Sequence, residues 1–140
     1  MTEKFKILTN FIKDISSETP DIETYIFVKE NISKYHLTIN INSKALKNKM
    51  IEVCTTLKYQ DKDASEKKSN FEIVYISIIK IDESVKDKKV LEKILLCDVQ
   101  KKIYPRLEKA LLNLIHDSGF HSVQSEKKID FEKLYKEQFN

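Results

Sequence analysis

The sequence predicts an α+β protein in which an antiparallel sheet is followed by two helices. Three stretches between residues 35 and 81 repeat apolar residues with the period of two that a strand imposes. From Val90 onward the apolar spacing changes to three and four, the period of a helix. The chain has one glycine and two prolines in 140 residues, so its few backbone breaks are informative.

In order, residues 5–18 fit two readings. Phe5, Ile7, Phe11 and Ile15 share a strand parity, while Leu8, Ile12 and Ile15 form a helical stripe. Periodicity leaves both open. Thr19-Pro20 ends the segment, because the residue before proline is pushed out of the helical region. Residues 22–28 are β-branched and aromatic, and read as an extended connector or an edge strand.

The first clear strand sets Tyr35, Leu37, Ile39 and Ile41 against a polar face of His36, Thr38, Asn40 and Asn42. The second sets Ile51, Val53, Leu57 and Tyr59 on one parity, after a short polar joint suited to a hairpin. The third, from about Phe71 to Ile81, has Phe71, Ile73, Tyr75, Ile79 and Ile81 on one face. Its other face starts with Glu72 but continues Val74, Ile76, Ile78, and a strand apolar on both faces is usually covered on both. The link from Gln60 to Asn70 is polar and reads as a mobile hairpin loop.

Val99, Ile103 and Leu107, then Ala110, Leu111 and Leu114, form the apolar stripe of a long helix. Pro105 predicts either a kink or a helix start nearby. Gly119 follows the stripe where a left-handed cap belongs. A last helix carries Phe131, Leu134, Tyr135 and Phe139 on one face, with Asp130 as its N-cap.

Composition bounds the chemistry. A 41% apolar and 34% charged composition fits one soluble globular domain spanning residues 1–140. No apolar run approaches the roughly 20 residues of a membrane span, so no direct membrane insertion is expected. The start, Met1-Thr2-Glu3-Lys4, shows no secretory leader. Cys54 and Cys97 lie in apolar-periodic segments and read as buried free thiols of a reducing compartment. Net charge is +3, but the pairs Lys67-Lys68, Lys88-Lys89, Lys101-Lys102 and Lys127-Lys128 are scattered among acids, whereas a nucleic-acid binder concentrates its charge.

Nothing in the chain reads as an enzyme. His36, His116 and His121 have no partner at a metal-ligand spacing. A single glycine allows neither a phosphate loop nor a nucleophile elbow. Asp14 with Glu18, and Asp61 with Asp63, read as solvated pairs. The unusual feature is apolar excess at Phe11, Ile12 and Ile15, at Tyr25, Ile26 and Phe27, and at Ile76 and Ile78. It reads as core, as a subunit interface, or as a groove for extended polypeptide.

Five blocks in order carry a resemblance. Phe11-Ile12-Lys13-Asp14-Ile15-Ser16-Ser17-Glu18-Thr19-Pro20 resembles the Y-(I/V)-K-D-(I/L)-S-(F/L)-E-x-P of the SecB protein-export chaperones. Phe71-Glu72-Ile73-Val74-Tyr75-Ile76-Ser77-Ile78-Ile79 is similar to their I-E-V-x-Y-x-G-(I/V)-F strand. Ile103-Tyr104-Pro105 resembles L-F-P, and Gly119-Phe120 resembles the start of G-F-P. Ile129-Asp130-Phe131, with Leu134-Tyr135, is similar to (I/V)-(N/D)-F-x-x-L-Y. The chain departs from the family at Ser77, where the family has glycine, and at Val99-Gln100, Glu108 and His121. It is also basic, where family members are usually acidic.

The resemblance implies a four-stranded antiparallel sheet with two C-terminal helices, assembled as a homotetrameric dimer of dimers. It implies a cytoplasmic holdase without nucleotide or cofactor that binds unfolded preproteins and passes them to the SecA motor. Its SecA contacts carry over to Asp14, Glu18 and Glu72, which are acidic here too. A client-peptide groove is expected at Phe11, Tyr75, Ile76, Ile78 and Tyr104. Phe71, Ile73, Leu107, Leu111 and Leu114 are expected in the core or a subunit interface. The rival readings are a SecB-like chaperone dedicated to one partner, of the antitoxin-linked type, and a small nucleic-acid-binding domain.

Overall fold

The computed structural model describes residues 4–61, 68–124 and 129–139, the last two of these as backbone only. Strands β1 (Phe5–Glu18), β2 (Tyr35–Ala45), β3 (Met50–Asp61) and β4 (Asn70–Ile81) form one antiparallel sheet in the order β1-β4-β3-β2. Helices α1 (Ile22–Asn31), α2 (Lys88–Lys93), α3 (Val99–Asp117) and α4 (Phe131–Phe139) complete the chain. A five-residue π-helical turn, Ile94–Asp98, joins α2 to α3. These three segments make one continuous helical run, so two helical bodies follow the sheet, as the sequence predicts. Most of the polar link before β4 (62–67), with Asp63 and Lys67, lies outside the described residues. So do the Lys127-Lys128 pair and the Phe139 side chain.

Cross-strand register assigns the faces. Tyr59–Phe71, Leu57–Ile73, Thr55–Tyr75, Val53–Ser77 and Ile51–Ile79 are paired, and this set turns inward. Leu57, Ile73 and Ile79 are fully buried. The α3 stripe of Ile103, Leu107, Leu111 and Ile115 is buried with them in one core. Leu114, one step round the helix, is half-buried.

Near its start α3 makes a polar contact with the sheet. The Gln100 amide donates to Thr55 Oγ1 at 3.0 Å, and the whole of Gln100 is buried. The π turn precedes this contact. It inserts an extra residue, with the Val99 N–H donating to the Ile94 carbonyl, and brings Ile94, Leu95, Cys97 and Val99 all inward. Burial pushes the Cys97 thiol pKa up, which keeps it protonated and inert. Both cysteines are free, Cys97 buried and Cys54 half-buried. The helix runs through Pro105 without ending.

The α3 C-terminus closes as the sequence predicts. Gly119 adopts φ +102°, the Gly119 N–H donates to the His116 carbonyl, and the Phe120 N–H donates to the Ile115 carbonyl. These two bonds are those of a Schellman cap, with Phe120 and Ile115 both buried beside it. The Tyr25 hydroxyl donates to the Gly119 carbonyl at 2.7 Å, and a Cβ at Gly119 would lie 2.7 Å from Tyr25 Cε1. Glycine is therefore required both by the backbone and by the ring against it.

Two local expectations are resolved or corrected. Residues 5–18 are a strand, not a helix. Residues 22–28 are neither connector nor edge strand but the body of α1. The N-cap decides this: Asp21 Oδ1 accepts from the Thr24 N–H at 2.7 Å, directly after Pro20. Thr24 and Val28 point inward from α1 while Ile22 and Ile26 remain exposed.

The buried Thr55–Gln100 pair supplies a test. Gln100→Leu or Thr55→Val alone should destabilise by about 1–3 kcal/mol, because each leaves a buried polar group unpaired. The double variant should recover most of that loss. Urea denaturation at fixed chain concentration measures both.

Candidate functional site

Because α3 packs on β4 and β1, the inward row of β2 is only half-covered. α4 stands opposite that row, and between them lies a cavity of about 520 Å3. Its apolar lining is Leu37, Ile39 and Ile41 from β2, Leu96 from the π turn, and Ile129, Phe131, Leu134 and Tyr135 from the last segment. Asn40, Asp130, Lys133 and Glu137 bring polar groups to it. β2 is an edge strand, so backbone groups on one side have no neighbouring strand in the sheet. An apolar trough beside such an edge can take an extended chain by side-chain burial and main-chain pairing.

α4 is held from one side. The Phe131 ring packs edge-on against Tyr104, centroids 5.4 Å apart. Lys101 Nζ meets Glu132 Oε1 at 2.9 Å, and the Tyr135 hydroxyl donates to the Lys89 carbonyl at 3.3 Å. The Asp130 carboxylate caps the helix, accepting from the Lys133 N–H at 3.1 Å. The hydrogen bond from Lys101 holds the Glu132 carboxyl below the usual glutamate range and raises the Lys101 pKa.

The outer sheet face is the second surface. Asp14 is paired with Val74, Ser16 with Glu72, and Glu18 with Asn70. Glu72 therefore stands diagonally between Asp14 and Glu18, at the ~7–8 Å of diagonal neighbours. The sheet brings together three acids that lie up to 58 positions apart in sequence (14 to 72). Lys58 is the β3 neighbour of Glu72. An apolar strip adjoins the acids: Phe11 pairs with Ile76, and Ile76 with Cys54, while Ile78 lies between Thr9 and Glu52. Phe11 is 49% exposed and Ile76 only 2%.

The five residues expected to line a client groove do not share one cleft. Phe11, Ile76 and Ile78 lie together on the outer face. Tyr75 turns inward and is buried. Tyr104 is buried against Phe131 behind the β2–α4 trough, its hydroxyl donating to Glu108 at 3.1 Å. Phe71, Ile73, Leu107 and Leu111 are core residues. Sequence reasoning set the β2 row and the last helix down as separate amphipathic elements and did not place them opposite each other across open space. The available signal was that both are amphipathic and that β2 borders a polar joint.

A family model for "Preprotein translocase subunit SecB" matches residues 1–140. The chain belongs to the SecB family. It is 60% identical over all 140 residues, the whole of both chains, to the "Putative protein-export protein SecB" of Pelagibacter ubique (strain HTCC1062). It is 22% identical over 134 residues to the protein-export protein SecB of Bradyrhizobium sp., covering 96% of this chain and 81% of that one. The fold is similar to that of a SecB-like chaperone of Mycobacterium tuberculosis, solved with a peptide from an antitoxin. The TM-score is 0.62 at 10% identity, covering 89% of this chain and 91% of that one. SecB membership makes this a protein-export chaperone and not an enzyme. Among the described residues no helix is long and apolar enough to cross a membrane.

The Lys101–Glu132 contact gives α4 a pH dependence. A carboxyl with a depressed pKa contributes stability that is present above its unfolded value and lost as pH falls through the folded one. The raised Lys101 pKa contributes below the unfolded lysine value and is lost as pH rises through the folded one. Docking of α4 should therefore hold at neutral pH and loosen slightly as pH falls below the usual glutamate range, the effect being small because solvent screens this exposed pair. Amide-exchange protection of α4, corrected for intrinsic rates, measures this, and Glu132→Gln should flatten the acid limb.

Proposed function

We propose that this SecB-family protein is an ATP-independent holdase of the cytoplasm that binds unfolded preproteins and delivers them to SecA. The observation that carries the holdase reading is the apolar trough between β2 and α4, open beside a strand edge. Apolar burial is non-directional, so such a trough accepts many sequences, while edge pairing adds affinity independent of side chains. The outer strip of Phe11, Ile76 and Ile78 offers a second apolar contact, and Tyr104 supports the trough wall through Phe131. Holding a client requires only that binding outpace its folding, a competition that needs no nucleotide.

The acids Asp14, Glu18 and Glu72, gathered on the outer face, suit a basic docking surface on SecA. There they would set orientation and association rate. Subunits join as a dimer of dimers in this reading, because β1 leaves both a strand edge and an apolar row uncovered. The antitoxin peptide held by the mycobacterial SecB-like chaperone favours a second reading, a chaperone dedicated to one partner.

Leu134→Asp, which places a charge in the trough on an exposed helix position, should shorten the delay that the protein imposes on refolding of a denatured preprotein by several-fold. Light scattering should show the same assembly as the unaltered protein. A chaperone with one dedicated partner would leave generic clients unaffected from the start. A nucleic-acid-binding domain would instead bind DNA or RNA at low salt and release it steeply as salt rises.

Charge reversal at Asp14, Glu18 and Glu72 should weaken SecA binding at least tenfold in a pull-down titration, while client binding is retained. Unaltered SecA binding would remove these residues from the contact.

A further inference from the structure

Lysines that the sequence disperses are gathered by the fold at one corner of the sheet. The acids Asp14, Glu18 and Glu72 stand toward one end of β1 and β4. At the other end Lys6 on β1 is paired directly with Lys80 on β4, and both are exposed. Like charges set opposite each other across two strands are destabilising. The β3 neighbour of Lys80 is Met50, so that row brings no acid to offset them. One row further in, Lys44 on β2 is paired with the half-buried Glu52 on β3.

The turn between β2 and β3 continues the cluster. Leu46, Lys47, Asn48 and Lys49 are all exposed there. Asn48 sits at φ +60° and Lys49 at φ +58°. Asparagine tolerates this left-handed region, lysine enters it rarely, and glycine occupies it without strain. The turn thus keeps a cation where glycine would be the easier residue. The Ile81 N–H donates to the Lys49 carbonyl at 3.2 Å and the Asp82 N–H to the Lys4 carbonyl at 2.9 Å, which ties the turn, the start of β1 and the end of β4 together. Among the described residues the corner holds Lys4, Lys6, Lys44, Lys47, Lys49 and Lys80 against the acids Glu52, Asp82 and Glu83. Asp82 is engaged locally, accepting from the Ser84 N–H at 3.1 Å and from the Ser84 hydroxyl.

We propose that this corner docks on the surface of an anionic phospholipid bilayer. The proposal stands apart from the holdase and SecA readings above. Lysine is a compact charge on a flexible stem, which suits a fluid array of phosphates better than a fixed bidentate partner. Each lysine within a Debye length of such a surface, ~10 Å at 0.1 M salt, strengthens binding about fivefold. Leu46, 36% exposed between Lys44 and Lys47, supplies the apolar part. At the tip of a hairpin it can enter the headgroup region while the cations stay with the phosphates. A nucleic acid would call for rings or guanidinium planes on which bases stack. The aromatic ring among these lysines, Phe5, is instead buried, with Lys102 Nζ 4.9 Å from its centroid. The single arginine of the chain, Arg106, lies on α3. With the hairpin end against the bilayer, Glu18 stands roughly 35–40 Å from Lys6 along β1, several Debye lengths from the anionic surface. The acidic end therefore does not oppose the contact.

Vesicles of phosphatidylcholine with about one-third phosphatidylglycerol, and vesicles of phosphatidylcholine alone, are sedimented with the full-length protein. The protein should sediment with the first and not with the second, and should be released as salt rises. Lys49→Gly should weaken binding about fivefold, while its urea midpoint holds or rises because glycine relaxes the turn. Lys29→Ser, which removes an exposed cation from α1, should leave binding unaltered. Leu46→Ser should remove the part of the binding that survives high salt. Equal losses for Lys49→Gly and Lys29→Ser would mean attraction by net charge alone and would overturn the surface. Binding to poly(U) without binding to anionic vesicles would make the corner a nucleic-acid surface and overturn the lipid assignment. A smaller assembled mass for Lys49→Gly by light scattering would give the corner to the acids of another copy. No binding to anionic vesicles at low salt would end the proposal outright.

Discussion

The burial of one helical stripe on one sheet face holds the rest of this molecule in place. Ile103, Leu107, Leu111 and Ile115 on α3 share a core with Leu57, Ile73 and Ile79 on the central strands. Burying side chains of this size contributes roughly 1.5–3 kcal/mol each, more than any single surface contact in the structure. Gln100 and Thr55 add direction to that non-directional force. An apolar stripe can slide along an apolar face at small cost, but a buried amide with one available hydroxyl cannot move without losing its partner. The Schellman cap at Gly119, locked by Tyr25, ties the far end of α3 to α1.

One helix packed on β4 and β1 covers only part of a four-stranded sheet, and apolar residues stay short of cover on both flanks. On the β2 side the deficit becomes the trough under α4. On the β1 side it becomes an exposed apolar row and an orphaned polar pair. Both flanks border strand edges, so both can add a strand. The outer sheet face has no strand edge to offer, only the apolar strip of Phe11, Ile76 and Ile78 beside the acids. Its β2 side is polar, with His36, Thr38, Asn40 and Asn42, and its acids collect at the β1–β4 end. The trough, the β1 edge and the acids thus occupy different parts of one small sheet.

Much of the fold was legible in particular residues. The alternation from Tyr35 to Ile41 assigned the inward face of β2, and the spacing of Leu107, Leu111 and Leu114 announced α3. Gly119 marked its end because only glycine adopts that backbone angle without strain. The failure at α1 has an identifiable cause. Ile22, Tyr25, Ile26, Phe27 and Val28 favour strands by side-chain shape, but Asp21 after Pro20 starts a helix through its carboxylate. A single capping bond and the docking of Tyr25 on Phe120 outweighed the propensity of five residues. The groove was less legible. Tyr75 and Ile76 are adjacent and apolar, yet strand geometry sends them to opposite faces, so they cannot line one surface.

By itself the sequence determined the element types along most of the chain, the inward parity of β2, β3 and β4, the stop of α3 at Gly119 and, through its motif blocks, the SecB family. These are local properties, written in spacing of two or four residues and in the stereochemistry of single positions. The register shifts of β1, by contrast, put Phe11 on the face opposite Phe5, Ile7 and Ile15. The tertiary structure alone decided which surfaces stay uncovered. Leu37 and Leu134 meet across a trough, Asp14 and Glu72 meet on a sheet face, and Asn10 Oδ1 and Ser77 Oγ lie on paired strands with no hydrogen-bond partner among the described residues. Each of these depends on where α3 comes to rest on the sheet or on which strands become neighbours, and no window of sequence contains both members of any such pair.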